Sequence, residues 1–143
     1  MRMFIPIAAA AMLASGLAAA AQDAQTKTSP TAATAVDKAY KNVGVDEFEK
    51  LAADKKNVVL DVRTPKEFAA GHIKGAVNID FNAPDFEKKI AALAKDKTYL
   101  VHCAGGVRSS KACAKMGDLR FKHLVNLEPG FKAWEKAGKA VEK

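Results

Sequence analysis

Residues 99–110 of the chain are YLVHCAGGVRSS, and this stretch decides the fold. It begins with an apolar run over residues 99–101 that suits a buried strand, and we predict that a helix begins near Ser109. Cys103 and a glycine pair lie between them. Glycines permit positive φ angles and let another group approach the backbone closely, which a buried structural cysteine does not require. The stretch therefore predicts a strand, a ligand-binding turn and a helix in succession.

The same alternation of strand and helix patterns extends through the rest of the chain. Short apolar runs that suit buried strands occur at residues 58–60, 76–79, 99–101 and 124–127. Between these runs lie amphipathic groups with helical spacing: Phe48 with Leu51 and Ala52, Phe86 with Ile90 and Leu93, and Ala112 with Met116 and Leu119. Strands that alternate with helices form βαβ units. We therefore predict an α/β domain with a mainly parallel sheet and helices on both of its faces.

One short helix carries clear start and stop signals in residues 64–71, TPKEFAAG. Thr64 is a good N-cap, Pro65 suits the first helical position, and Glu67 three residues after the cap completes a capping box. Gly71 is the predicted end of this helix.

The first 38 residues differ in composition from the rest of the chain. An early arginine, an apolar run over residues 4–17 and small residues up to Ala21 are typical of a secretory signal peptide, cleaved after Ala21. The apolar run is shorter than the roughly 20 residues of a membrane span. Residues 22–38 resemble a flexible linker, which leaves residues 39–143 as one compact domain. We expect a periplasmic or secreted protein with no stable membrane association after cleavage.

The formal net charge of +7 does not indicate a nucleic-acid site. The positive charges are spread along predicted helix faces with acidic residues between them, as at Lys88, Lys89, Lys95 and Lys97. This spacing is typical of a solvated surface. We therefore expect no nucleic-acid partner and only a modest attraction for small anions.

The loop that begins at Cys103 suits an activated cysteine. In open α/β sheets, ligands bind beyond the carboxyl ends of the strands, and Cys103 lies at such an end. Successive loop amides and the N-terminus of the next helix can bind one anionic group. Such surroundings lower a cysteine pKa from about 8.5 to roughly 3.5 to 7.5. We therefore predict that Cys103 is a nucleophile that needs no dedicated base.

The length of this loop narrows the chemistry. Arg108 follows Cys103 in a C-x4-R pattern, whereas cysteine phosphatases use C-x5-R to surround a tetrahedral phosphate. The shorter loop suits a smaller guest, such as the outer sulfur of a persulfide. The spacing therefore disfavours a phosphatase.

Three separated motifs resemble those of the rhodanese-like sulfurtransferases. Residues 103–109, CAGGVRS, are similar to the family's C-x-x-G-x-R-S loop, and residues 61–79, DVRTPKEFAAGHIKGAVNI, resemble its D-V-R-x-x-x-E-F-x-x-G-H-I-x-G-A-x-N-I segment. Residues 130–134, GFKAW, resemble its G-G-x-x-A-W ending, with Pro129 in place of the first glycine. The match covers almost all of residues 42–139. The resemblance implies a rhodanese-like domain with a central, mainly parallel five-stranded sheet flanked by helices on both faces.

The resemblance also implies a thiosulfate sulfurtransferase type of enzyme. Cys103 would take the outer sulfur of thiosulfate or a similar donor, and a thiol or cyanide acceptor would then remove it from the persulfide. Arg108 would help to orient the donor, and the loop that binds substrate and persulfide would comprise Ala104, Gly105, Gly106, Val107, Arg108 and Ser109. No metal or organic cofactor is implied, and a monomer is expected. Polysulfide, a protein persulfide and mercaptopyruvate remain alternative donors.

Asp61 and Arg63 are possible supporting residues at the same edge of the predicted sheet. Both follow a predicted strand, so they either contact the catalytic loop or cap turns and pair locally. Arg63 and Glu67 are four positions apart and could form an ordinary surface ion pair. We expect structural hydrogen bonds, rather than proton transfer, for His72.

Three further residues are expected to be structural. His102 precedes Cys103 on a strand, so its side chain should face away from that of Cys103. Trp134 is expected to pack in the core. Cys113 lies on the apolar side of the helix after the loop, and we expect a buried free thiol there, although an even cysteine count in an exported protein suggests a disulfide.

Two other classes of function remain open. A noncatalytic rhodanese-like module would bind an anion or a partner protein, but such a module has no need of the Cys103 thiol. A thiol redox protein would use Cys103 with Cys113, but the chain lacks a C-x-x-C motif.

Overall fold

The computed structural model describes residues 39–143, so the predicted signal peptide and linker lie outside the described part. Within it, strands and helices follow in the order β1 (Lys41–Val43), α1 (Val45–Ala52), β2 (Val58–Asp61), α2 (Pro65–Ala70), β3 (His72–Ile73), β4 (Val77–Asn78), α3 (Phe86–Ala91), β5 (Thr98–His102), α4 (Val107–Asp118), β6 (His123–Leu127), α5 (Gly130–Lys136) and β7 (Val141–Glu142). Residues 39–143 contain no helix with the length and apolar character that a membrane crossing needs.

A five-stranded sheet forms the centre of the domain. Its strand order is β1-β6-β5-β2-β4, and each neighbouring pair is parallel. β3 and β7 form a separate antiparallel pair. The predicted mainly parallel five-stranded sheet is thus confirmed. Because β5 is the middle strand, Cys103 leaves the sheet at the centre of its carboxyl edge.

Alternating side chains of the strands build two apolar cores, one on each face of the sheet. On one face, Val101 belongs to a buried cluster with residues of α3 and α4. On the other face, Leu100 packs in a cluster with Phe48 of α1 and with Trp134 of α5. Helices therefore cover both faces, as predicted, and Trp134 is a core residue. A parallel sheet covered in this way needs apolar strands, which the sequence supplies.

The boundaries of two helices follow from local residues. At α2 the Thr64 hydroxyl accepts a hydrogen bond from the Glu67 N–H at 3.3 Å, and the Glu67 carboxylate accepts one from the Thr64 N–H at 2.9 Å, which confirms the capping box. α4 begins at Val107, whereas we predicted a start near Ser109. The earlier start arises because Gly106, with φ of +93°, ends the loop abruptly.

Candidate active site

Cys103 lies at the floor of the loop between β5 and α4, with 1% of its surface exposed. Its Sγ accepts a hydrogen bond from the Gly106 N–H at 3.1 Å. The Ser109 hydroxyl has two acceptors for its single proton, Sγ of Cys103 at 3.4 Å and the carbonyl of Gly106 at 3.1 Å. Burial raises the pKa of this thiol. Hydrogen bonds from the Ser109 hydroxyl and from the N–H groups of Ser109, Gly105 and Gly106 together lower the pKa by more than burial raises it, so the pKa lies below its ordinary value. The loop therefore favours the thiolate form of Cys103.

Two glycines let the backbone segments around the loop pack closely. A Cβ on Gly106 would clash with the carbonyl oxygen of Glu128, and a Cβ on Gly130 would clash with that of Ala104. Both glycines have positive φ angles, of +93° and +73°. The loop is thus pressed against the turn before α5 at positions where only glycine fits.

The first turn of α5 holds the loop through backbone hydrogen bonds. The N–H of Phe131 donates to the carbonyl of Cys103 at 2.8 Å, and the N–H of Lys132 donates to that of Ala104 at 3.1 Å. These N–H groups have no partner within a helix, so the loop satisfies them. Our sequence reasoning missed this contact, although the GFKAW motif marked the segment that makes it.

Arg108 makes a bidentate ion pair with Glu67 of α2. Its Nη1 donates to Oε2 at 3.0 Å and its Nη2 donates to Oε1 at 2.9 Å. The hydrogen bonds from Arg108 are the largest cause of the lowered pKa of Glu67, which falls to about 2. The Arg63–Glu67 pair that the spacing allowed does not form, because Arg108 and the Thr64 cap occupy the Glu67 carboxylate. Sequence reasoning did not identify Glu67 as a residue of the site.

Arg63 turns inward and pairs with Asp61. Its Nη2 donates to Asp61 Oδ2 at 2.7 Å and to the carbonyl of Gly71 at 2.6 Å, and both residues are buried. The guanidinium carbon lies 3.9 Å from the ring centroid of Phe131. Of the two arrangements that we considered, these contacts correspond to local pairing. Arg63 nevertheless lies close to the loop, because it lines a groove of about 220 Å³ together with Ala104.

Residues 44–137 match the family model of the rhodanese-like domain. The chain belongs to the rhodanese-like domain family. The rhodanese-related protein of Thermoplasma volcanium is 31% identical and superimposes with a TM-score of 0.65, covering 72% of this chain and 98% of that one. These findings confirm the family and the fold that the three motifs implied.

Two relatives of known sequence extend the comparison. YtwF of Bacillus subtilis, whose name carries a provisional sulfurtransferase assignment, is 40% identical over 87 residues, which are 61% of this chain and 82% of YtwF. The mitochondrial protein HIGH ARSENIC CONTENT 1 of Arabidopsis thaliana is 36% identical over 94 residues, or 59% of this chain. The match spans 56% of the plant protein's length. Homology within the rhodanese family thus supports a transferase.

The two histidines near the rhodanese loop have structural surroundings. His102 faces away from Cys103, as predicted, and its ring lies 6.1 Å from that of Phe48 and 5.9 Å from that of Phe131, between centroids. Burial lowers the pKa of His102 to about 4, so its ring is neutral at physiological pH. The Nδ1 of His72 donates to the carbonyl of Phe68 at 3.0 Å, which agrees with the predicted structural role.

Cys113 is a free, buried thiol on the inner face of α4, as predicted. Burial, and then the charge of Cys103, raise its pKa to about 12.

Within residues 39–143 we find no group of three or more His, Cys, Asp or Glu side chains that could hold a metal ion. A larger cavity, of about 500 Å³, is lined by Trp134 and Val59 and includes no residue of the rhodanese loop.

Proposed function

We propose that this protein is a sulfurtransferase that carries a sulfane sulfur as a persulfide on Cys103. The observation that carries the proposal is the set of donors around Sγ, which lowers the pKa of a thiol that burial alone would keep protonated. The Cys103 thiolate attacks the outer sulfur of thiosulfate or a similar donor. With thiosulfate, the sulfur–sulfur bond of the donor breaks and sulfite leaves with the bonding electron pair.

The second half-reaction returns the enzyme to its starting state. An acceptor thiolate or cyanide attacks the outer sulfur of the persulfide, and the Cys103 thiolate leaves. In this proposal the loop from Ala104 to Ser109 surrounds the persulfide. Asp61 and Arg63 form a buried ion pair that supports the loop.

A noncatalytic module that binds an anion or a partner protein is the alternative. The lowered pKa of Cys103 favours the enzyme, because binding alone gains nothing from an activated thiol. A redox protein is disfavoured because the raised pKa of Cys113 makes it a poor partner for disulfide exchange.

Mass measurement of the intact protein tests the proposal. After incubation with thiosulfate or a hydropersulfide, we expect a gain of about 32 Da, one sulfur atom, that cyanide removes. A Cys103→Ser variant should gain nothing, whereas a Cys113→Ser variant should gain the same mass as the wild type. If reduced wild-type protein gains no mass from either donor, the sulfurtransferase proposal fails and the binding module takes its place.

We also propose that the protein works outside the cytoplasm as a monomer. The composition of residues 1–21 supports export, and the small size of the domain supports the monomer. Cell fractionation followed by N-terminal sequencing should find a mature chain that begins at Gln22. A full-length chain in the cytoplasm would contradict export.

A further inference from the structure

Both arginines beside the rhodanese loop are already paired with carboxylates. Arg108 makes two hydrogen bonds to Glu67, and Arg63 pairs with the buried Asp61. A further carboxylate, that of Asp80, also interacts electrostatically with Arg108. Arg108 therefore has two carboxylates near it, which offset the positive charge that it presents to an anionic donor.

The remaining attraction comes from the backbone and is matched by the thiolate itself. The N–H groups of the loop and the N-terminus of α4 favour negative charge, and the Cys103 thiolate supplies it. Thiosulfate would bring two more negative charges to the same place. The thiolate therefore repels thiosulfate more strongly than it repels a donor of lower charge.

We propose that Glu67 is a specificity-determining residue that cancels the charge of Arg108 and makes a low-charge organic hydropersulfide, R–S–SH, the preferred sulfur donor over thiosulfate. This inference rests on the proposed sulfurtransferase function. The Cys103 thiolate attacks the terminal sulfur of R–S–SH and forms a new S–S bond. The S–S bond of the donor breaks, and R–S⁻ leaves with the electron pair while the proton stays on the transferred sulfur. Glu67 does not touch the reacting atoms, so it is a positioning residue.

The groove beside the loop fits the organic part of such a donor. It has a volume of about 220 Å³ and runs from Ala104 to the first turn of α5. Arg63 and Glu67 in its lining are already paired, with Asp61 and Arg108. Lys132 and Glu135 remain as one cation and one carboxylate in the lining. Phe131 adds an aromatic wall. A small R group that carries both an ammonium and a carboxylate, as in cysteine hydropersulfide, matches this lining.

The first test compares two donors on the wild type and on Glu67→Gln. Glutamine can still complete the capping box with Thr64, so α2 should remain folded while one negative charge is lost. We would measure rates of persulfide formation on Cys103 by mass, with thiosulfate and with cysteine hydropersulfide at low ionic strength. We expect hydropersulfide to react faster with the wild type, and Glu67→Gln to raise the thiosulfate rate about tenfold with less than about a twofold change for hydropersulfide.

A second test reports the charge at the sulfur without sulfur transfer. Iodoacetate is an anionic alkylating agent and iodoacetamide is its neutral counterpart, so the ratio of their rates with Cys103 measures the local potential. This ratio should rise about tenfold in Glu67→Gln, and the rise should shrink in high salt. The matched control is Glu49→Gln, which removes a carboxylate paired with Lys139 on the wall of the larger cavity and should leave the ratio unchanged.

The outcomes separate this inference from the proposed function. If the wild type forms a persulfide but Glu67→Gln changes neither the donor preference nor the alkylation ratio, the role of Glu67 is overturned and the sulfurtransferase stands. A wild type that reacts faster with thiosulfate than with hydropersulfide overturns the donor preference. If neither donor transfers sulfur, the function and the donor preference both fall, whereas a changed alkylation ratio would still confirm the electrostatic role of Glu67.

Discussion

Cys103 and Cys113 are both buried in the same apolar core, yet the structure gives them opposite chemistry. The pKa of Cys113 rises to about 12, because its thiol lies on the apolar face of α4. The pKa of Cys103 falls below its ordinary value despite burial, because N–H and O–H donors of the loop stabilise its thiolate. The comparison shows that burial alone raises the pKa of a thiol in this domain and makes it unreactive. Hydrogen bonds from the loop lower the pKa of Cys103 despite its burial.

Alkylation should reveal the largest difference between the two cysteines. At pH 7 the thiolate fraction of Cys113 is very small because its pKa is about 12, whereas the pKa of Cys103 is lowered, which favours its thiolate. We expect iodoacetamide to modify Cys103 at least about a thousandfold faster than Cys113 in the folded protein. Peptide mapping after timed alkylation measures both rates. Comparable rates would show that the donors of the loop do not activate Cys103.

Replacing Gly106 should break the loop that distinguishes the two thiols. In Gly106→Ala the new Cβ clashes with the carbonyl oxygen of Glu128. The φ angle of +93° at this position is also a strained backbone conformation for alanine. We expect the free energy of unfolding in urea to fall by about 2 to 4 kcal/mol, and the pKa of Cys103 to rise.

Gly105→Ala is the matched control for this variant. A Cβ at position 105 meets no atom within 4 Å apart from its chain neighbours, and the φ angle of Gly105 lies outside the left-handed region. Its free energy of unfolding should fall by less than about 1 kcal/mol. Equal losses in the two variants would contradict the role that we give to Gly106.

Removing one side-chain donor should sharpen the comparison without unfolding the loop. Ser109→Ala loses the hydroxyl that donates to Sγ of Cys103 but keeps the backbone donors. The pKa of Cys103 should rise, and its alkylation rate at pH 7 should fall about three- to tenfold. Ser110→Ala is the control, since the Ser110 hydroxyl donates to the carbonyl of Val107 instead. A fall of the same size in both variants would argue against the Ser109 hydrogen bond.

The smallest predicted effect is the contribution of Glu67 to stability. Like Cys103, Glu67 has a pKa that hydrogen bonds lower. Because its folded pKa of about 2 lies below the ordinary 4.5, the stability that it adds is fully present above about pH 4.5 and is lost as the pH falls towards 2. For a partly exposed pair we expect at most about 1 kcal/mol. Urea unfolding of the wild type and Glu67→Gln should show a difference at pH 6 that disappears near pH 2. A constant difference would contradict the lowered pKa.

The sequence predicted the parts of the fold that depend on local pattern. The strands around residues 58–60 and 99–101 are apolar and buried, so their patterns identified them. β1, which is Lys41–Val43, was missed because it is a short edge strand in which only Val43 is buried. β3 and β7 were missed because two residues carry too little pattern. A short polar strand forms here because a partner strand is available, which local sequence does not show.

For the site, too, the sequence predicted only the features that depend on local pattern. Cys103 and its glycines lie within one short loop, so their order along the chain indicated the chemistry. The partner of Arg108 was not predictable, because Glu67 lies 41 positions away and meets Arg108 only in the folded chain. The sequence suggested Arg63 for Glu67 instead, since i,i+4 spacing favours such pairs within a helix. Arg63 precedes α2, however, and its guanidinium turns to the buried Asp61.

The most direct test of this account is the pH dependence of Cys103 alkylation in a Cys113→Ser variant, which leaves one thiol in the chain. A lowered pKa means that the thiolate persists as the pH falls below the ordinary cysteine value of about 8.5. We therefore expect the midpoint of the rate profile to lie below the ordinary value of a cysteine. A midpoint at or above the ordinary value would contradict the account, because burial would then outweigh the hydrogen bonds of the loop.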